Sequence, residues 1–118
     1  MAIKTGQLYE RVKREFGVVG DSLVFEQAFF SALQSVSADM ASRSFLEWDA
    51  PASQSADIDL DQKYYQAVYC GLKYYINNGP EWNVEQKGDL RGEYFLHLAR
   101  AQSMYFDDNP PDTYLHKT

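Results

Sequence analysis

Residues 57–78, "DIDLDQKYYQAVYCGLKYYINN", read as one helix with too few polar residues to face water. At about 100° per residue, Tyr64, Ala67, Val68, Gly71, Leu72 and Tyr75 share one side. Tyr65, Tyr69 and Ile76 carry the apolar surface well beyond that stripe. Only Lys63, Gln66 and Lys73, with Cys70 and Tyr74 nearby, are left for solvent. A surface helix ordinarily buries one stripe of its circumference. This one needs a second cover, from its own chain or from a neighbour.

The flanking segments are helical too. Thr5 is placed to cap "GQLYERVKREF", Leu8, Val12 and Phe16 form its narrow apolar face, and Gly17 follows where a left-handed cap belongs. After "VVGDS", Asp21 or Ser22 can cap a second helix. Phe25, Phe29, Ala32, Leu33, Val36 and Met40 gather on one side of it. Its other side holds Gln27, Ser31, Gln34 and Ala38, which are small or polar and uncharged. That composition fits either a plain solvent surface or close contact with another helix or subunit.

From Phe45 to Ile58 the periodicity stops, and residues 46–57 read as a long loop with Trp48 as its one large apolar residue. Asp59 and Gln62 make a capping-box pattern for the third helix, and "NNGP" ends it with Gly79 at the C-terminal cap. In "EWNVEQKGDLRGEYFLHLARAQSMYF" the stripe Leu90, Tyr94, Leu98, Ala101 and Tyr105 is helical, although Gly88 and Gly92 weaken its first part. Two prolines stop a helix in "DDNPPDTYLHKT". The expected fold is therefore all-α: four helices near 5–16, 22–43, 59–78 and 81–106, packed as a bundle with a long second loop. Residues 1–106 form the domain and 107–118 an extended tail. The expected core is Leu8, Val12, Phe16, Phe25, Phe29, Leu33, Val36, Tyr64, Val68, Leu72, Tyr75, Leu90, Tyr94, Leu98 and Tyr105.

Composition narrows the function classes. A chain of 118 residues makes one domain, and a net charge of −6 lacks the clustered basic face that grips nucleic acid. The basic residues Lys4, Arg11, Lys13 and Arg14 are interleaved with Glu10 and Glu15 in the first helix. The single cysteine, Cys70, excludes an internal disulfide. No apolar run reaches a membrane span, and the start lacks a secretion signal, so synthesis in the cytosol is expected. The nine Tyr and seven Phe suit an interface as well as they suit a core.

No catalytic constellation emerges. His97 and His116 lie in different elements, and Glu93 one turn before His97 makes an ordinary helix-surface pair. "DIDLD" and the Asp107–Asp108 pair lack the glycine and closing glutamate of a calcium loop. "GDLRG" sits inside helical periodicity, not after a strand, so it is no phosphate loop. The reading is a protein with no enzymatic activity, cofactor or metal.

In layout the chain resembles the head-to-tail connector (adaptor or neck) proteins of tailed bacteriophages. Two amphipathic helices and an irregular loop precede "IDLDQKYYQAVYCGLKYYI", then "LRGEYFLHLARAQSMYF". Connectors have a helix opening leucine–aspartate with a following aromatic, then a helix of small–x–x–x–aromatic pattern. "FEQAFFSALQSVSADMA" is similar to their second helix. The resemblance spans about residues 8–106 and is one of residue types.

It implies a structural virion protein, made in the host cytoplasm, whose copies form a ring, commonly of twelve, beneath the portal. The partners implied are further copies of itself, the portal protein, and tail or neck proteins. DNA would pass the acidic lining without sequence-specific binding, and no membrane is involved. Such a ring would cover the second apolar face of the third helix. Trp48, Tyr65, Tyr69, Ile76, Tyr114 and Leu115 are the expected interface residues. The competing class is a small phage or bacterial adaptor or regulatory protein that binds a single protein partner.

Overall fold

Gly17 takes a positive φ of 68°, and the backbone there closes the first helix as the sequence suggests. Its N–H donates to the Arg14 carbonyl and that of Val18 to Lys13, both at 3.1 Å, the paired bonds of a Schellman cap. The computed structural model describes residues 2–43, 45–79 and 89–109. Within them lie four helices: α1 (Thr5–Glu15), α2 (Leu23–Ser42), α3 (Tyr65–Asn77) and α4 (Leu90–Asp108). A 3-10 turn, Gln62–Tyr64, leads into α3. No strand occurs among the described residues, only an isolated antiparallel bridge between Ile3 and Ile58. The fold is all-α, and α3 is its centre, touching α1, α2 and α4.

Several boundaries differ from expectation for a common reason. "DIDLD" is extended: Ile3 and Ile58 exchange both backbone hydrogen bonds, at 3.0 and 3.1 Å. Ile58 and Leu60 point into the core while Asp57, Asp59 and Asp61 face water. This alternation of period two is the strand pattern. It delays the third helix from residue 59 to the 3-10 turn. Asp61, not Asp59, then caps the turn through the Lys63 N–H. The same pairing carries Thr5 inside α1, where its hydroxyl donates to the Ala56 carbonyl at 2.6 Å instead of capping. Ser22 does cap α2, accepting from the Phe25 N–H. Gly79 keeps no left-handed φ; its N–H simply donates to the Ile76 carbonyl. Asp107 and Asp108 remain helical, so α4 runs past the expected start of the tail. The expected beginning of the fourth helix, 81–88, and Tyr114 and Leu115 of the tail lie outside the described residues.

The expected core is recovered with four exceptions: Phe16, Tyr75, Leu90 and Tyr105 are half-buried. Residues not foreseen there include Ile3, Phe45, Trp48, Ile58 and Leu60, all five from non-helical stretches. Each large apolar side chain so enclosed contributes about 1.5–3 kcal/mol. Gly71 sets the packing of α3. A Cβ there would lie 2.6 Å from both Val36 Cγ2 on α2 and Tyr94 Cε1 on α4. A helix-interior glycine costs up to about 1 kcal/mol, offset here by the close approach of two neighbours.

Candidate interaction surfaces

The second apolar face of α3 is closed from within the chain. Tyr69 is 5% exposed, Cys70 4% and Ile76 2%. This corrects the expectation that Tyr69 and Ile76 form an open face and that Cys70 borders solvent. The cover includes a charged side chain: Arg11 of α1 lays its guanidinium 3.9 Å from the Tyr69 ring centroid. It also donates to the Tyr65 hydroxyl at 3.1 Å, and Tyr65 and Tyr69 stack nearly parallel beneath it. An arginine can bury its stem on apolar surface and keep its head wet, which a count of apolar residues does not reveal. Like any arginine, Arg11 stays a cation, and the hydrogen bond to Tyr65 raises its pKa further. Burial raises that of Cys70 and leaves a poorly nucleophilic thiol.

Trp48 is likewise absorbed by the fold. Its indole N–H donates to Met40 Sδ at 3.1 Å, and its carbonyl accepts from the Ser37 hydroxyl at 2.6 Å. The non-helical stretch thereby fastens to α2, and Gln54 fastens it again through Glu26 at 2.7 Å. Of the six residues expected at an interface, Trp48, Tyr69 and Ile76 are buried and Tyr65 is half-buried beneath Arg11. Tyr114 and Leu115 lie outside the described residues.

What remains outside is instructive. Val24, Gln27, Ser31, Gln34, Ala38, Ala41 and Ser42 are all exposed along one side of α2. None is charged, and their span is roughly 27 Å from the helical rise. The only charged residues of α2, Glu26 and Asp39, are turned away and engaged. Asp39 accepts the hydroxyls of Tyr75 at 2.5 Å and Tyr94 at 2.7 Å through one oxygen, tying α2 to α3 and α4. Burial, then the bond to Asp39, pushes both phenol pKa values upward. Leu23, at the start of α2, and Val19, in the connection before it, are exposed as well, the latter 94%. Leu96 and Phe106 are the exposed large apolar residues of α4.

The sequence did single out Gln27, Ser31, Gln34 and Ala38, so this face was legible from periodicity. The exposed Val19, Leu23 and Val24 were not picked out, because apolar residues beside a turn carry no periodic signal.

Among the described residues, no three His, Cys, Asp or Glu side chains stand close enough to hold a metal ion. No helix there is long and apolar enough to cross a membrane. His97 lies half-buried on α4. No protein family, curated protein or solved structure matches this chain.

Proposed function

We propose that this chain is a structural subunit of a tailed-bacteriophage head-to-tail connector, built on a four-helix bundle and without catalytic activity. Its copies form a homomeric ring between portal and tail, and the ring lines the channel through which DNA passes. The resemblance over residues 8–106 supplies the class. The observation that carries the reading is the long, uncharged, exposed side of α2.

In a chain of net charge −6, contact between identical copies must avoid stacking like charges, and a neutral face does so. Its small side chains would let another helix approach closely. A ring uses two different patches, one from each neighbour. The exposed apolar positions Leu96 and Phe106 on α4 are suited to receive the α2 side of the next copy. The acidic balance repels DNA and favours its passage over its capture. Tyr65 and Tyr69, being engaged by Arg11, are internal supports in this account and not the assembly surface.

Quantitative mass spectrometry of DNA-filled particles from a phage encoding the chain tests this reading. The chain should be present in numbers comparable to the portal protein. Its absence from particles, with abundance only in the lysate, would overturn the reading in favour of an adaptor that binds a single partner.

A further inference from the structure

Asn78, the C-cap residue of α3, is followed by Gly79, and that pair carries a reaction of its own. The backbone nitrogen after an asparagine can attack the side-chain carbonyl carbon. A new C–N bond closes a five-membered succinimide ring, the attacking nitrogen gives up its proton, and ammonia leaves. Water then opens the ring at either carbonyl, giving aspartate or isoaspartate. The only co-reactant is water. Glycine favours the closure because it has no Cβ to crowd the ring or restrict the backbone.

The structure separates Asn78 from the other described asparagines. It is exposed, and no hydrogen bond holds its side-chain amide among the described residues. Asn77 is only 3% exposed, and the residue after it carries a side chain. Asn109 donates its side-chain amide to the Tyr105 carbonyl at 3.1 Å. The nitrogen that follows Asn109 belongs to Pro110 and has no proton to give up. At Asn78 an unheld amide, solvent and a glycine coincide.

One contact restrains the reaction. The Gly79 N–H donates to the Ile76 carbonyl at 3.0 Å, and Asn78 keeps a helical backbone with φ −76° and ψ −12°. The attacking nitrogen must leave that bond before it can turn to the side chain. Helix ends open locally at little cost, so the bond is a gate and not a block.

We propose that Asn78–Gly79 is a self-modification site, which deamidates in the folded chain at a rate gated by the opening of the last turn of α3. Each event replaces a neutral amide with a carboxylate at the C-terminal end of the helix that touches α1, α2 and α4. The helix dipole disfavours negative charge there. Older copies are therefore marked by one added negative charge and a looser end of α3. The site uses no residue of the outer side of α2, so it stands or falls independently of ring assembly.

The test is to age the purified full chain at neutral pH and map its peptides by mass spectrometry, with isoaspartate measured by enzymatic methylation. Aspartate and isoaspartate should accumulate at position 78 while positions 77 and 109 stay asparagine. Isoelectric focusing should show the same fraction of chains shifted by one negative charge. Asn78→Gln should lose the shift, because its longer side chain must close a larger ring. The chain unfolded in guanidinium chloride should convert about tenfold faster or more, since a reaction through a minor open state is slowed by that state's population.

No conversion at position 78 over a period that fully converts the unfolded chain would overturn the site. Conversion equally fast in folded and unfolded chains would overturn the gate. Conversion of Asn77 as fast as Asn78 in the folded chain would overturn the selection by exposure and by the following glycine.

Discussion

Tyr75 and Tyr94 donate to the same oxygen of Asp39, so one substitution removes the acceptor for two helices. Asp39→Ala should cost about 2–4 kcal/mol in urea unfolding, because two phenol groups lose a charged acceptor. Asp39→Asn should cost less, since the amide oxygen still accepts. The same pair sets an alkaline limit. Burial and Asp39 raise both phenol pKa values above the ordinary tyrosine value of 10.0. A raised folded-state pKa gives stability that is complete below pH 10 and is lost as pH climbs toward the folded value. Phenolate absorbance should therefore show at least two of the nine tyrosines ionising only as the protein unfolds, and ionisation of all nine near pH 10 with circular dichroism unchanged would contradict the clamp. Gly71→Ala tests the packing on the opposite requirement, absence of volume. A Cβ 2.6 Å from Val36 and Tyr94 should destabilise by about 1–3 kcal/mol despite alanine's better helix propensity.

At the scale of elements, α2 and the end of α1 were legible because their signals are local. Ser22 caps by its own side chain, Gly17 supplies its own positive φ, and the apolar stripe of α2 repeats every turn. The start of α3 was legible too, but in a different period: "DIDLD" alternates and belongs to an extended segment, which a helical reading of 57–78 overrides. The cover of α3 was not legible. Arg11 lies 54 residues from Tyr65, and no periodicity connects them. Arg11→Ala should destabilise by about 1 kcal/mol through the lost cation–π contact and packing. Arg11→Lys should recover part of that, as checked by thermal unfolding of the three proteins.

For the whole molecule, the central claim is that α2 presents a neutral side for assembly with further copies of the chain. Surface charges placed there touch no core residue and should change stability by less than about 0.5 kcal/mol. Between copies they would face an apolar or neutral surface and be stripped of water, which opposes association strongly. The most direct measurement is sedimentation velocity of the wild-type chain and of Ser31→Glu/Ala38→Glu over rising concentration. The account predicts that the wild type associates into a closed oligomer and that the double variant stays a folded monomer. A wild type that remains monomeric up to roughly millimolar concentration, the weak limit of specific association, or a variant that assembles equally well, would contradict it.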